Sequence, residues 1–103
     1  MTERSQDREK RLQTEDEIEM EIAHAVVAEV VQEDARAHKL HGPFNSLHEG
    51  YAALLEEVDE LWDEIKKKKS KQEYHCLKSE AIQVAAMGMK MAIKIEIENR
   101  RRG

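Results

Sequence analysis

The chain has 103 residues, of which 38% are charged and only 4% aromatic, with one Pro and four Gly; this composition points to one small domain of long helices and excludes a sheet protein. A formal net charge of -5 argues against a nucleic-acid surface, and no run approaches the roughly 20 apolar residues of a membrane span. The single cysteine, Cys76, excludes an internal disulfide and disfavours a cysteine-based zinc site.

Residues 1–16 are polar and without periodicity, so they form an extension that is either frayed or a continuation of the first helix. They contain no signal-peptide core, and the expected location is cytoplasmic. Residues 17–99 read as a single helical domain, followed by a basic end at 100–103. From Ile18 the apolar positions Ile22, Ala25, Val26, Ala28, Val30 and Val31 recur at helical spacing, predicting a first helix to about His38. HKLHGPFNS, residues 38 to 46, then breaks the helix at Gly42 and Pro43, and Ser46 with Glu49 forms a capping-box signature for the next one. This loop is the expected place for ligand contacts.

The second helix is predicted from about Leu47 to Lys68, with Leu47, Tyr51, Leu54, Leu55, Val58, Leu61, Trp62 and Ile65 on one stripe. A polar turn, SKQE at 70 to 73, leads to a third helix from about Tyr74 to Asn99, whose apolar residues surround most of its circumference. Such a helix must be covered on several sides. Three helices per subunit cannot supply that cover, so the expected architecture is an all-α bundle completed by oligomerisation as a homodimer or homotetramer.

Six carboxylates fall within the nine positions from Glu56 to Glu64. They are either a solvated face or a cage for divalent metal. Glu57 and Glu60 stand at i, i+3, with Cβ atoms roughly 5 to 6 Å apart, and Glu57 borders the apolar stripe. The third helix has one polar stripe, containing Glu80, Gln83, Lys90 and Lys94. In an antiparallel hairpin that stripe can face Glu57 and Glu60, bringing three carboxylates and one amide oxygen to one level of the bundle. Such hard oxygen donors suit Mg²⁺, or Mn²⁺ as a substitute, with waters left for a phosphate to displace.

Glu56, Glu57, Val58, Asp59 and Glu60 read as EExxE, and Glu80 to Gln83 read as ExxQ after 19 intervening residues. Together with GPFNSLHEGYAALLEEVDELW at 42 to 62 and IQVAAM at 82 to 87, this resembles the MazG-like, all-α nucleoside triphosphate pyrophosphohydrolases, over residues from about 20 to 97. The resemblance implies Mg²⁺-dependent hydrolysis of a nucleoside triphosphate between its α and β phosphates, to a monophosphate and pyrophosphate. It implies Glu57, Glu60 and Glu80 as metal ligands, with Glu56 supporting a further ion or the attacking water. Gln83 departs from the usual Asp; its amide oxygen can ligate, but it removes one negative charge.

Asn45, His48, Lys90 and Lys94 are the candidate substrate contacts, each with a plainer reading as a turn, capping, surface or interface residue. Trp62 and Tyr51 are expected in the core, Met87, Met89 and Met91 as core and interface filler, and Cys76 as a buried structural thiol. Glu21 with His24, and His38 with His41, have ligand-like spacing, but a di-iron bundle needs ExxH twice and the second pair sits beside the Gly-Pro break. The rival readings are a non-enzymatic helical interaction module with a solvated acidic face, and a diphosphatase for another pyrophosphate-linked metabolite.

Overall fold

The computed structural model describes residues 4–103, apart from the side chains of residues 12 and 13. Three helices carry the architecture: α1 (Ser5–His41), α2 (Leu47–Ile65) and α3 (Tyr74–Arg102), with a single 3-10 turn at Lys69–Lys71. No strand occurs among the described residues, and Ile93 to Ile97 is helical. None of the helices is long and apolar enough to cross a membrane. Positions 1–3 of the polar extension lie outside the described residues; from Ser5 onward the extension continues α1.

Local chemistry explains each boundary. α1 stops because the N–H of Gly42 donates to the His38 carbonyl at 2.7 Å with φ at 71°, a backbone state that glycine enters without steric cost. Pro43 then blocks continuation. α2 starts where the Ser46 hydroxyl accepts from the Glu49 N–H at 3.0 Å. It ends three residues before the predicted Lys68, because the Gln72 side-chain amide donates to the carbonyls of Ile65 and Lys67 at 2.7 and 3.1 Å. Those two bonds satisfy acceptors that a longer helix would have satisfied internally.

α3 is the central element: α2 packs on one side of it and α1 on another, while α1 and α2 make no close backbone approach. The small core gathers where the three meet the loop. Phe44, from that loop, is buried with Ala37 of α1 and Met87 of α3, and Ala53, Leu54 and Met91 pack around them. Gly50 lets α2 pass close to this point, since a Cβ there would collide with the Met91 sulfur and lie 2.9 Å from the Phe44 ring.

Much of the expected core is not covered within the chain. Tyr51 and Trp62 are 59% and 57% exposed, and Leu55, Val58 and Ile65 are exposed beside them. α2 meets a neighbour on only one side, so Leu54 and Leu61 are half-buried while the rest of the stripe faces outward. Within this chain Tyr51 and Trp62 are not in the core, because the stripe is wider than the contact that α3 makes. Cys76 is likewise half-buried rather than buried.

Candidate metal centre

Of the acids between Glu56 and Glu64, Glu57 and Glu60 converge with an acid of α3, and the half-buried Glu64 lies close enough to raise Glu80 and Cys76 of the same helix. Asp63 pairs with Lys66 at 2.9 Å and Glu64 with Lys67 at 2.7 Å, so the lysine run neutralises the end of α2. Glu56 and Asp59 are exposed. The acidic stretch thus has a solvated, charge-paired part and an inward part.

The inward part meets Glu80. Glu57, Glu60 and Glu80 each place a carboxylate oxygen within 4.8 Å of the others, from two helices that cross at this level. At that spacing, two carboxylates repel by about 3 kcal/mol for an effective dielectric near 20. The side-chain environment registers the strain. Burial, followed by the charges of Glu60, Glu80 and Glu33, pushes the Glu57 carboxyl up to about 7. Burial and then Glu60 likewise raise Glu80.

Glu57 Oε2 and Glu80 Oε2 are buried and have no hydrogen-bond donor. A buried acceptor left unmet costs about 1 to 3 kcal/mol, and more when charged. Three convergent oxygen donors, two of them orphaned, fit a hard divalent cation such as Mg²⁺ or Mn²⁺.

Gln83, less than one turn on from Glu80, lines a cavity together with Glu29, Glu33 and Arg36 of α1. Glu33 is held below the usual carboxylate range, first by its hydrogen bond and ion pair with Arg36 and, least, by the nearby Gln83 amide. The Gln83 amide therefore lies near a carboxylate of α1. An Asp in its place would set a second negative charge against Glu33. Sequence reasoning missed Glu33, since one acid on a charged helix carries no spacing signal; only packing brings it near Gln83 and within electrostatic reach of Glu57.

The remaining candidates divide. A cavity of about 260 Å³ adjoins the acids, lined by Glu56 and Glu57, by the loop from His41 to Phe44, and by Lys90. Lys90 is buried at 7% exposure, its ammonium 4.4 Å above the Phe44 ring. It has neither ion pair nor hydrogen bond among the described residues. Lys94 lies beyond that cavity, paired with Glu98 at 3.2 Å. Asn45 donates to the Glu49 carboxylate at 2.9 Å and so braces the start of α2. His48 is exposed, and neither Asn45 nor His48 lines the cavity beside the acids.

Glu73, His75 and Cys76 also approach one another, with Cys76 Sγ 3.4 Å from His75 Nε2 although neighbouring helix positions diverge. Burial and the Glu73 charge raise the Cys76 thiol, which favours the unreactive protonated form. Compared with known proteins, the chain matches no family model, no curated protein and no solved structure.

Proposed function

We propose that this protein is a Mg²⁺-dependent, MazG-like nucleoside triphosphate pyrophosphohydrolase that works as a homo-oligomer, with Mn²⁺ able to substitute. The observation that carries the reading is the pair of orphaned, buried oxygens on Glu57 and Glu80, set among acids on two helices. Carboxylates crowded only for solubility would point into water, as Asp59 does.

Glu57, Glu60 and Glu80 are the residues that would hold the ion. Once bound, Mg²⁺ supplies charge neutralisation for phosphate oxygens and a more acidic water. Glu56, on the wall of the adjoining cavity, is placed to accept a proton from the attacking water. Lys90 faces the same cavity with its ammonium unpaired, so it can take a phosphate oxygen without first breaking a salt bridge. The net reaction is hydrolysis of a triphosphate between its α and β phosphates.

The exposed Tyr51, Leu55, Val58 and Trp62 favour, as a second reading, a helical interaction module. Pyrophosphate release from a panel of ribo- and deoxyribonucleoside triphosphates with Mg²⁺, extended to other pyrophosphate-linked metabolites, separates the readings. The expected result is turnover of at least one triphosphate, reduced more than about 100-fold by Glu57→Gln or Glu60→Gln. No turnover of any nucleotide, with a melting temperature indifferent to Mg²⁺, refutes the hydrolase. Turnover confined to another pyrophosphate-linked compound replaces it with a diphosphatase.

A further inference from the structure

We infer that Glu73, His75 and Cys76 form a second metal site, selective for Zn²⁺, one turn of α3 away from the acids that suit Mg²⁺. The inference does not depend on the hydrolase reading.

The site is built where the chain enters α3. Glu73 immediately precedes the helix, and its carboxylate makes no capping bond to the helix N–H groups. It turns instead to its neighbours. Glu73 Oε2 lies 3.2 Å from His75 Nε2 and 3.7 Å from Cys76 Sγ, and the sulfur lies 3.4 Å from that same nitrogen. One oxygen, one nitrogen and one sulfur thus close a triangle. Around a tetrahedral Zn²⁺ with bonds of about 2.0 to 2.3 Å, the edges between such donors are about 3.3 to 3.6 Å. Each observed edge falls within about 0.2 Å of its counterpart, so the three atoms already form one face of the tetrahedron.

Donor chemistry and charge select the ion. Thiolate and imidazole favour Zn²⁺, whereas the all-carboxylate cluster of Glu57, Glu60 and Glu80 favours the harder Mg²⁺. A carboxylate, a thiolate and a neutral imidazole leave bound Zn²⁺ with no net charge, which the positive end of a helix tolerates. Zn²⁺ displaces the Cys76 proton as it binds. The Glu73 and Glu64 charges that hold this proton also attract a cation, and the nearby Lys67 ammonium is already paired with Glu64 at 2.7 Å. The side chains of His75 and Glu73 are 80% and 64% exposed, so the ion enters from solvent. No fourth protein donor joins the triangle among the described residues, and water completes the tetrahedron. The single cysteine argues against sites that need several; a mixed site needs one.

The test is titration of the reduced, metal-free full chain with Co²⁺, a spectroscopic substitute for Zn²⁺, in excess Mg²⁺ to occupy the acids between α2 and α3. One Co²⁺ per chain should bring a thiolate-to-cobalt charge-transfer band in the near ultraviolet, which Zn²⁺ should abolish by displacement. Cys76→Ser should remove the band. His75→Gln and Glu73→Gln, at exposed positions where folding is not at risk, should each weaken binding at least about 10-fold, since even outer-shell partners of a metal are worth roughly 10- to 100-fold. No band from the wild type overturns the proposal whatever the variants do. A band that both His75→Gln and Glu73→Gln retain at full affinity overturns the triad and leaves only a metal-binding thiol. The band reports sulfur ligation alone, so either result stands whether or not the chain hydrolyses a triphosphate.

Discussion

Glu57 carries the strongest electrostatic signature in the chain, because burial strips water from a carboxyl that Glu60 and Glu80 already repel. With its folded pKa raised from 4.5 to about 7, the folded state keeps a proton that the unfolded chain releases earlier. Stability of the metal-free protein should therefore fall as pH rises through that window. Glu33, whose pKa is lowered, acts in the opposite sense and below it: the stability it contributes is lost as pH falls under 4.5. Solvent still reaches Glu57, so the loss is discounted to about 1 kcal/mol, or roughly 4 to 8 °C in melting temperature. Thermal melts at pH 5 to 8 check this; Glu57→Gln should flatten the decline, and a wild-type profile already flat would contradict the assignment. EExxE and ExxQ announce these acids in the sequence, whereas the influence of Glu33 on Glu57 comes from a residue on a separate helix, α1.

Gly50 does at the element scale what no motif reveals. Its missing side chain allows α2 to pass against Met91 and the Phe44 ring, which fixes the loop wall of the cavity beside the acids. Gly50→Ala would gain about 1 kcal/mol of helix propensity, but overpacking of this kind costs about 1 to 3 kcal/mol. The Met91 thioether can swing away, while the Phe44 ring is confined by Ala37 and Met87. The expected net effect is a destabilisation of about 1 kcal/mol in urea titration, with weakened nucleotide binding; a stabilised variant would show that the ring yields freely. Ser46, Gly42 and Pro43 made the loop and both its borders readable, because capping and positive φ are local demands. Phe44 was not readable as a core residue, since its burial depends on two helices that arrive from either side.

At the scale of the whole molecule, the chain is a slab. Its extents are 62 × 43 × 20 Å and its radius of gyration is 18.8 Å, against about 13 Å for a compact domain of this length. The accessible surface is 8650 Å², whereas a compact monomer of 12.0 kDa would expose about 6,000 Å². The surplus carries Ile18, Ile22, Val27 and Val31 on α1, and Tyr51, Leu55, Val58 and Trp62 on α2. A surplus of this size per chain is what an obligate subunit interface removes from water. Sedimentation equilibrium should therefore give a multiple of the chain mass, and Leu55→Glu with Trp62→Glu should lower it; a monomer at micromolar concentration would refute the assembly.

The sequence by itself determined the all-helical class, the two breaks between helices and the acids that converge, because each depends on spacing within about one or two turns or on the chemistry of single cap residues. Only the tertiary structure decided that Glu33 comes within reach of Glu57, that Lys90 lies over Phe44 and that Asp34 Oδ1 is left without a donor. Those outcomes depend on the azimuth at which α3 meets α1 and α2. That angle is set by packing between distant segments, and helical periodicity, being the same for every rotation about the axis, carries no record of it.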